Sequence, residues 1–128
     1  MDEEVKKPQI LLIEDDVFMI ELLARELEAA GMEVALAKTG AEGVKKYDES
    51  KPDLILLDLL LPDQNGFETL RQIRRKPHGP EVKVLIVSNV AEEPDMEEAK
   101  RLGAIEYIVK SNSTLSEIVK KTEEALVR

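Results

Sequence analysis

Cysteine is absent from this chain, which excludes a disulfide framework and a cysteine–zinc site alike. Also absent is any apolar stretch of about eighteen residues, so the sequence offers no membrane span. The opening Met1-Asp2-Glu3-Glu4 is acidic and lacks the apolar core that a signal peptide carries. These absences leave the cytoplasm as the expected compartment, with no membrane insertion. Basic clusters are missing too. The formal net charge is −9, and Lys and Arg are dispersed among acids, as in Glu97-Glu98-Ala99-Lys100-Arg101. A nucleic-acid surface needs clustered cations to neutralise phosphates, so direct DNA or RNA binding is not expected. Neither a P-loop nor a dinucleotide glycine fingerprint occurs, and no internal repeat, low-complexity tract or interdomain linker is visible. The single histidine, His78, lies in Lys76-Pro77-His78-Gly79-Pro80. That setting reads as an exposed connector, neither a catalyst nor a phosphate carrier.

What remains is one domain's worth of chain. Its 128 residues are enough to bury about two-thirds of the unfolded surface without staples. Hydrophobic content of 43% beside charged content of 35% describes a globular protein with a well-charged surface. The surplus of acid suits a cation, or a partner with a basic face. Apolar runs recur at residues 10–13, 54–57, 84–87 and 105–109, the last interrupted by Glu106. Most show no alternation, as strands buried on both faces of a parallel sheet do. Residues 33–37, where Val34 and Leu36 alternate with smaller or polar neighbours, predict a strand nearer an edge.

Helical patterns separate the runs. Residues 16–30 carry Leu23, Leu27 and Ala30 at helical spacing, Asp16 suits the N-cap, and Gly31 the C′ stop. Thr39 with Glu42 predicts a capping box and a helix to about Tyr47; Thr114 with Glu117 repeats the pattern. The last helix is predicted to bury Leu115, Ile118, Val119, Thr122 and Leu126. Residues 66–75 and 94–102 supply two more, with Pro94 in a first turn and Gly103 as a stop. Tyr47, Phe18 and Phe67 read as packing residues on helices. Five alternations of strand and helix predict an α/β fold: a (βα)5 doubly wound, five-stranded parallel sheet in the flavodoxin-like order 2-1-3-4-5. Residues 1–8 form an expected mobile tail, and residues 9–128 the domain.

In that order the switch point lies between the first and third strands, where open α/β sheets put their chemistry. The first strand runs into Glu14-Asp15-Asp16 and the third into Asp58, which stands between Leu54-Ile55-Leu56-Leu57 and Leu59-Leu60-Leu61. A lone ionised carboxylate amid such apolar residues costs several kcal/mol unless it sits at the lip of the core or is paired. The expected outcome is one exposed nucleophile with a dry rim. Carboxylates gathered in one crevice raise one another's pKa unless a cation intervenes, and oxygen-only donors fit a hard ion. Glu14, Asp15 and Asp58 therefore read as a half-built Mg²⁺ site awaiting phosphoryl oxygens. Ser88 ends the fourth strand and Lys110 the fifth, on the same sheet edge. A carboxylate there can attack phosphorus in line and form an acyl phosphate, with Lys110 offsetting the transferred charge.

These residues resemble the receiver domains of two-component response regulators, of the chemotaxis-regulator type, from about residue 9 to residue 126. The matching pieces are Ile-Glu-Asp-Asp (13–16), Leu-Leu-Asp with Pro62 and Gly66 after it, Val-Ser (87–88) and Tyr-Ile-Val-Lys (107–110). The resemblance implies that Asp58 accepts phosphate from a histidine kinase or phosphotransfer protein. Glu14, Asp15, Asp58 and the backbone carbonyl of Leu60 would hold Mg²⁺. Ser88 would turn toward the phosphoryl group, Tyr107 swing inward with it, and Lys110 pair with the phosphoryl group, or with Asp58 before it arrives. Such a domain is a switch that assists its own phosphorylation and dephosphorylation rather than an enzyme. It meets a downstream protein target through its fourth helix, fifth strand and fifth helix, as a monomer or a phosphorylation-promoted homodimer. Leu60 and Val90 flank the site and would exclude attacking water. Glu92-Glu93-Pro94-Asp95 reads as a solvated helix start beside the partner face.

Two positions depart from the family's pattern. Ser111 follows Lys110 where a cis proline is usual. A non-proline cis bond costs about 2.5–4 kcal/mol, so a trans loop with a displaced Lys110 is expected. Asn89 stands where a small residue is usual, as a partial gate to phosphate. Two other functions compete with the switch. A degenerate, phosphorylation-independent scaffold is opposed by the intact acidic residues, Ser88 and Lys110. An aspartate-nucleophile phosphohydrolase resembling haloacid dehalogenases wants a second Asp two residues after the nucleophile, where Leu60 stands. The chain ends within or just after its final helix, so no attached output domain is expected, whether the regulator is single-domain or cut from a longer protein.

Overall fold

A computed structural model describes residues 6–128 of the chain. Its strands are β1 (Gln9–Ile13), β2 (Glu33–Ala37), β3 (Leu54–Leu57), β4 (Lys83–Ser88) and β5 (Glu106–Val109). They form one parallel sheet in the order β2-β1-β3-β4-β5, as predicted. The three central strands supply Leu11, Ile13, Leu54, Ile55, Leu56, Leu57, Val84, Leu85 and Ile86, none more than 1% exposed. Each such side chain contributes about 1.5–3 kcal/mol on leaving water. Both faces are covered, which is why these runs show no alternation. β2 is an edge strand, as expected, with Leu36 exposed.

The helices are α1 (Val17–Ala29), α2 (Gly40–Ser50), α3 (Gly66–Arg74), α4 (Glu93–Arg101) and α5 (Leu115–Leu126). Leu23 and Leu27 of α1 join Ile118, Val119 and Ala125 of α5 over one face of the sheet. Tyr47 of α2, Phe67, Leu70 and Ile73 of α3, and Ala99 of α4 cover the other. Asp16 caps α1, accepting the N–H groups of Phe18 and Met19, and Gly31 at φ +93° closes it. Thr114 and Glu117 form the full reciprocal box of α5, and Glu92 with Asp95 does the same for α4.

Several expectations are corrected. Ala30 is an exposed cap residue rather than part of the buried stripe; Ile20 takes that place. The Thr39–Glu42 box is only half made, because Glu42 accepts from Lys38 N–H instead of Thr39 N–H. α2 also runs to Ser50 rather than stopping at Tyr47, and ends on Lys51 in the left-handed region before Pro52. Phe18 is not a packing residue: it is 79% exposed, with Val17 and Leu22 beside it on α1 also in solvent. Leu115 and Leu126 are only partly buried at the margin of their cluster. Within the expected tail, residues 1–5 lie outside the described residues, and Lys6, Lys7 and Pro8 carry no helix or strand. No helix among the described residues is long and apolar enough to cross a membrane.

Candidate functional site

Two adjacent strand ends create the crevice. β1 and β3 pair through Ile13 and Leu57, and Asp58 N–H continues the ladder to the Ile13 carbonyl at 3.0 Å. Glu14 N–H likewise reaches across to Ala37 at 2.9 Å. Both side chains thereby emerge together at the carboxyl edge of the sheet. Carboxylate oxygens of Glu14, Asp15 and Asp58 come within 4.8 Å of one another. Asp15 is exposed, whereas Glu14 is 2% and Asp58 only 5% exposed. The expected exposed nucleophile is therefore a nearly buried one. Burial is tolerated because the charge is paired, the second of the two outcomes that desolvation allows.

The pairing comes from Lys110. Its Nζ lies 2.9 Å from Asp58 Oδ2 and 2.5 Å from Glu14 Oε1. The Lys110 ammonium is itself mostly buried. Burial pulls its pKa down, but hydrogen bonds and charge from Glu14 and Asp58 outweigh that and hold it above the ordinary lysine value. Glu14 moves the other way. Burial raises its pKa, the Lys110 and Asp16 N–H hydrogen bonds oppose this, the Asp58 charge adds to the rise, and the net shift is upward. One ammonium thus faces more than one carboxylate. The remaining oxygens are held by backbone: Asp16 N–H donates to Glu14 Oε2 at 3.0 Å, and Leu60 N–H to Asp58 Oδ1 at 3.3 Å. Position 111 was expected to displace Lys110. The described residues contain no cis peptide bond, yet Lys110 still reaches both carboxylates, because a 3₁₀ turn over Lys110–Asn112 follows β5 directly.

Ser88 and Tyr107 stand close by, engaged elsewhere. Ser88 is fully buried, and its Oγ accepts Val90 N–H at 3.2 Å. Tyr107 donates its hydroxyl to the Val90 carbonyl. Burial, helped by the charges of Asp95 and Asp58, pushes the Tyr107 phenol up to about 12. Neither residue hydrogen-bonds to Asp58 in this arrangement. Asn89 is exposed, and its Oδ1 accepts the N–H of Ser111 at 2.8 Å. Leu60, at 59% exposure, forms an open apolar rim.

One supporting residue was not foreseen. Asp63 accepts the N–H groups of Gly40 and Ala41 at 2.8 and 3.0 Å, capping α2 from the loop after Asp58. Those two backbone bonds hold its carboxyl below the usual range. The signal was available in Pro62-Asp63, an acid in a turn, but its helix lies more than twenty residues away. Two open clefts of about 540 Å³ lie at the amino end of the sheet, around Tyr47, Lys51, Asp53 and Lys83, away from the carboxylates.

A family model described as the response regulator receiver domain matches residues 10–123. Chemotaxis protein CheY of Listeria monocytogenes is 37% identical over 103 residues, covering 80% of this chain and 85% of its own length. Protein PilH of Pseudomonas aeruginosa is 33% identical over 102 residues, covering 80% and 84%. Among solved structures, the non-phosphorylated HemR receiver domain of Leptospira biflexa superposes with a TM-score of 0.88 at 34% identity, covering 95% of this chain and 96% of that one. Family match, relatives and strand order agree: the chain belongs to the response regulator receiver domain family of two-component signalling.

Proposed function

We propose that this receiver domain stores a phosphoryl group on Asp58, taken from a histidine kinase or phosphotransfer protein. The observation carrying the proposal is a nearly buried Asp58 shared by one ammonium with Glu14, at a sheet edge where Asp15 stays open to solvent. In the transfer, an Asp58 oxygen forms a bond to phosphorus as the bond to the donor's leaving group breaks. Lys110 exchanges its Asp58 contact for a phosphoryl oxygen, and Ser88 gives up Val90 N–H to donate to another. Release of Val90 frees Tyr107 to turn inward. The face of α4, β5 and α5 then meets a downstream protein.

Three convergent carboxylates with no nitrogen or sulfur donor among them fit a hard divalent cation. Glu14, Asp15, Asp58 and the Leu60 carbonyl would hold Mg²⁺, which when bound supplies positive charge opposite the phosphoryl oxygens. The deciding experiment is labelling of the intact chain with acetyl phosphate or phosphoramidate, with and without Mg²⁺. Metal-dependent incorporation of one phosphoryl group per chain is the expected result; no incorporation at any Mg²⁺ concentration overturns the proposal.

Lys110 and a divalent cation compete for the same oxygens. Lys110→Met is therefore expected to lower stability by about 3–5 kcal/mol in chelator, since two buried carboxylates lose their shared cation. Added Mg²⁺ should restore more stability to that variant than to wild type. Urea unfolding with and without Mg²⁺ checks both statements, and a metal response no larger than wild type's would refute the competition.

The apolar rim makes two further predictions. Leu60 and Val90 exclude attacking water, so Leu60→Asn with Val90→Glu should shorten the phosphorylated lifetime; an unchanged half-life counts against that role. A protein donor approaching Asp58 meets the exposed Val17, Phe18 and Leu22 of α1. Phe18→Ser should slow transfer from such a donor by about tenfold, the loss typical of an aromatic anchor, with acetyl phosphate labelling unchanged. Equal slowing with both donors would rule out a docking role.

A further inference from the structure

We infer that Asn89 is a positioning residue for Lys110, acting through the backbone N–H of Ser111. The inference rests on the proposed reaction at Asp58 and concerns how the chain arranges that site. Backbone pairing between β4 and β5 ends at the rung Ser88–Val109. Beyond it the two chains separate, β4 into the loop leading to α4 and β5 into the 3₁₀ turn at Lys110–Asn112. The Asn89 side chain adds one more rung. Its Oδ1 takes Ser111 N–H at 2.8 Å, a donor that no preceding residue of so short a turn can satisfy.

The two partners require each other chemically. Proline at 111 would carry no N–H to donate, and alanine at 89 would have no side-chain acceptor. Ser111 N–H belongs to the peptide unit that begins at the Lys110 carbonyl carbon. Fixing that plane fixes one side of the Lys110 backbone, while the β5 ladder fixes the other. The Lys110 side chain then spans from this anchored backbone to Asp58 and Glu14. Without the rung, the same reach would depend on a turn held only by its own Ser113 N–H to Lys110 carbonyl bond.

The rung also joins the two loops that carry the reactive groups. Within three residues of the β4–α4 loop, Ser88 accepts Val90 N–H, Asn89 accepts Ser111 N–H, and the Val90 carbonyl accepts the Tyr107 hydroxyl. Asn89 is the only one of these ties that runs from the Ser88 loop to the Lys110 turn. A shift of Ser88 toward the phosphoryl group therefore pulls on the Lys110 backbone, so the two groups move as a pair.

The test compares Asn89→Ala and Asn89→Asp with wild type, at a surface position where neither change disturbs the core. The first readout is the Ser111 amide by NMR shift and hydrogen exchange. Asn89→Ala should lose the bonded signature and exchange about two- to tenfold faster, the worth of one net hydrogen bond. Asn89→Asp, which keeps an acceptor oxygen, should retain the signature. The second readout is acetyl phosphate labelling: Asn89→Ala should slow it about two- to tenfold, and this effect should vanish in a Lys110→Met background followed over its own slower time course. A Ser111 amide indifferent to Asn89→Ala overturns the inference. So does an equal effect of Asn89→Ala with and without Lys110, which would make Asn89 a gate instead. Failure of wild type to label at all overturns the proposed function, and the amide readout still decides the rung.

Discussion

Asp58→Asn is expected to cut phosphoryl labelling by at least about a thousandfold, the scale on which loss of a nucleophile is felt, without weakening the fold. Asparagine keeps the volume of the side chain and an oxygen for Leu60 N–H, while its NH2 replaces the oxygen that accepts from Lys110 and leaves that ammonium to Glu14. It also simplifies the local charge. In wild type a single ammonium faces buried Glu14 and Asp58; in the variant Lys110 and Glu14 form a one-to-one pair. Breaking a buried ion pair ordinarily costs about 3–5 kcal/mol because a charge is left alone. Here none is left alone, and unfolding midpoints should equal or exceed wild type.

The pH dependence gives the same prediction a second readout. Glu14 holds its proton more tightly in the folded chain than in the unfolded one. Its contribution to stability is thus fully present below the ordinary glutamate value of about 4.3 and is lost as pH rises through the higher folded value. The Asp58 charge is one cause of that rise. In metal-free buffer, Asp58→Asn should therefore lose less stability than wild type over that range. Urea midpoints at a series of pH values check the slope. A steeper fall in the variant, or labelling that survives it, would count against Asp58 as the charged acceptor.

The sheet was legible because burial on both faces writes itself into the sequence as unbroken apolar runs, and Leu54-Ile55-Leu56-Leu57 is the plainest of them. Once strand order follows from the alternation with helices, residues ending β1, β3, β4 and β5 must share an edge. Glu14, Asp15, Asp58, Ser88 and Lys110 could be gathered on that reasoning alone. What stayed hidden was settled by side chains meeting across long separations. Asp58 is buried rather than exposed because Lys110, fifty-two residues later, neutralises it. The family resemblance named Lys110 as a partner of Asp58, but periodicity, which reports only the face a residue is on, could not show that the pair would be buried. Phe18 misled for a related reason. Its type says core, but it stands in the first turn of α1 at 79% exposure, on the face that the described residues leave in solvent. Asn89 and Ser111 each looked like a separate departure from the family pattern, and only the geometry makes them one interaction.

Gly66→Ala is expected to be as damaging as a substitution in the site itself, although Gly66 carries no functional group. Its φ is not in the left-handed region, so backbone freedom is not the reason glycine stands there. Space is. A Cβ on Gly66 would fall 2.2 Å from the Asp58 carbonyl oxygen, 2.8 Å from Leu59 Cα and 3.1 Å from the Asp58 carbonyl carbon. All three are backbone atoms of the segment that positions the nucleophile, and Gly66 N–H is bonded to the Leu59 carbonyl at 2.8 Å. No side chain can rotate away to make room. Gly40 offers a contrast: its added Cβ would meet only side-chain atoms, Gln64 Nε2 and Thr69 Oγ1 at 2.3 Å and Gln64 Cγ at 2.6 Å, of which half-buried Gln64 can swing away and fully buried Thr69 cannot. Overpacking a well-packed site costs about 1–3 kcal/mol and occasionally more; Gly66→Ala belongs at or above the top of that range, and Gly40→Ala within it. The chemistry should suffer separately, because displacement of a reacting group by about 1 Å can cost about a hundredfold in rate. In urea unfolding and acetyl phosphate labelling of both variants, Gly66→Ala should lose both stability and rate, and Gly40→Ala mainly stability. Wild-type labelling by a destabilised Gly66→Ala would mean that α3 yields instead of the strand end, and that Asp58 is held by Lys110 and Leu60 rather than by the packing beneath it.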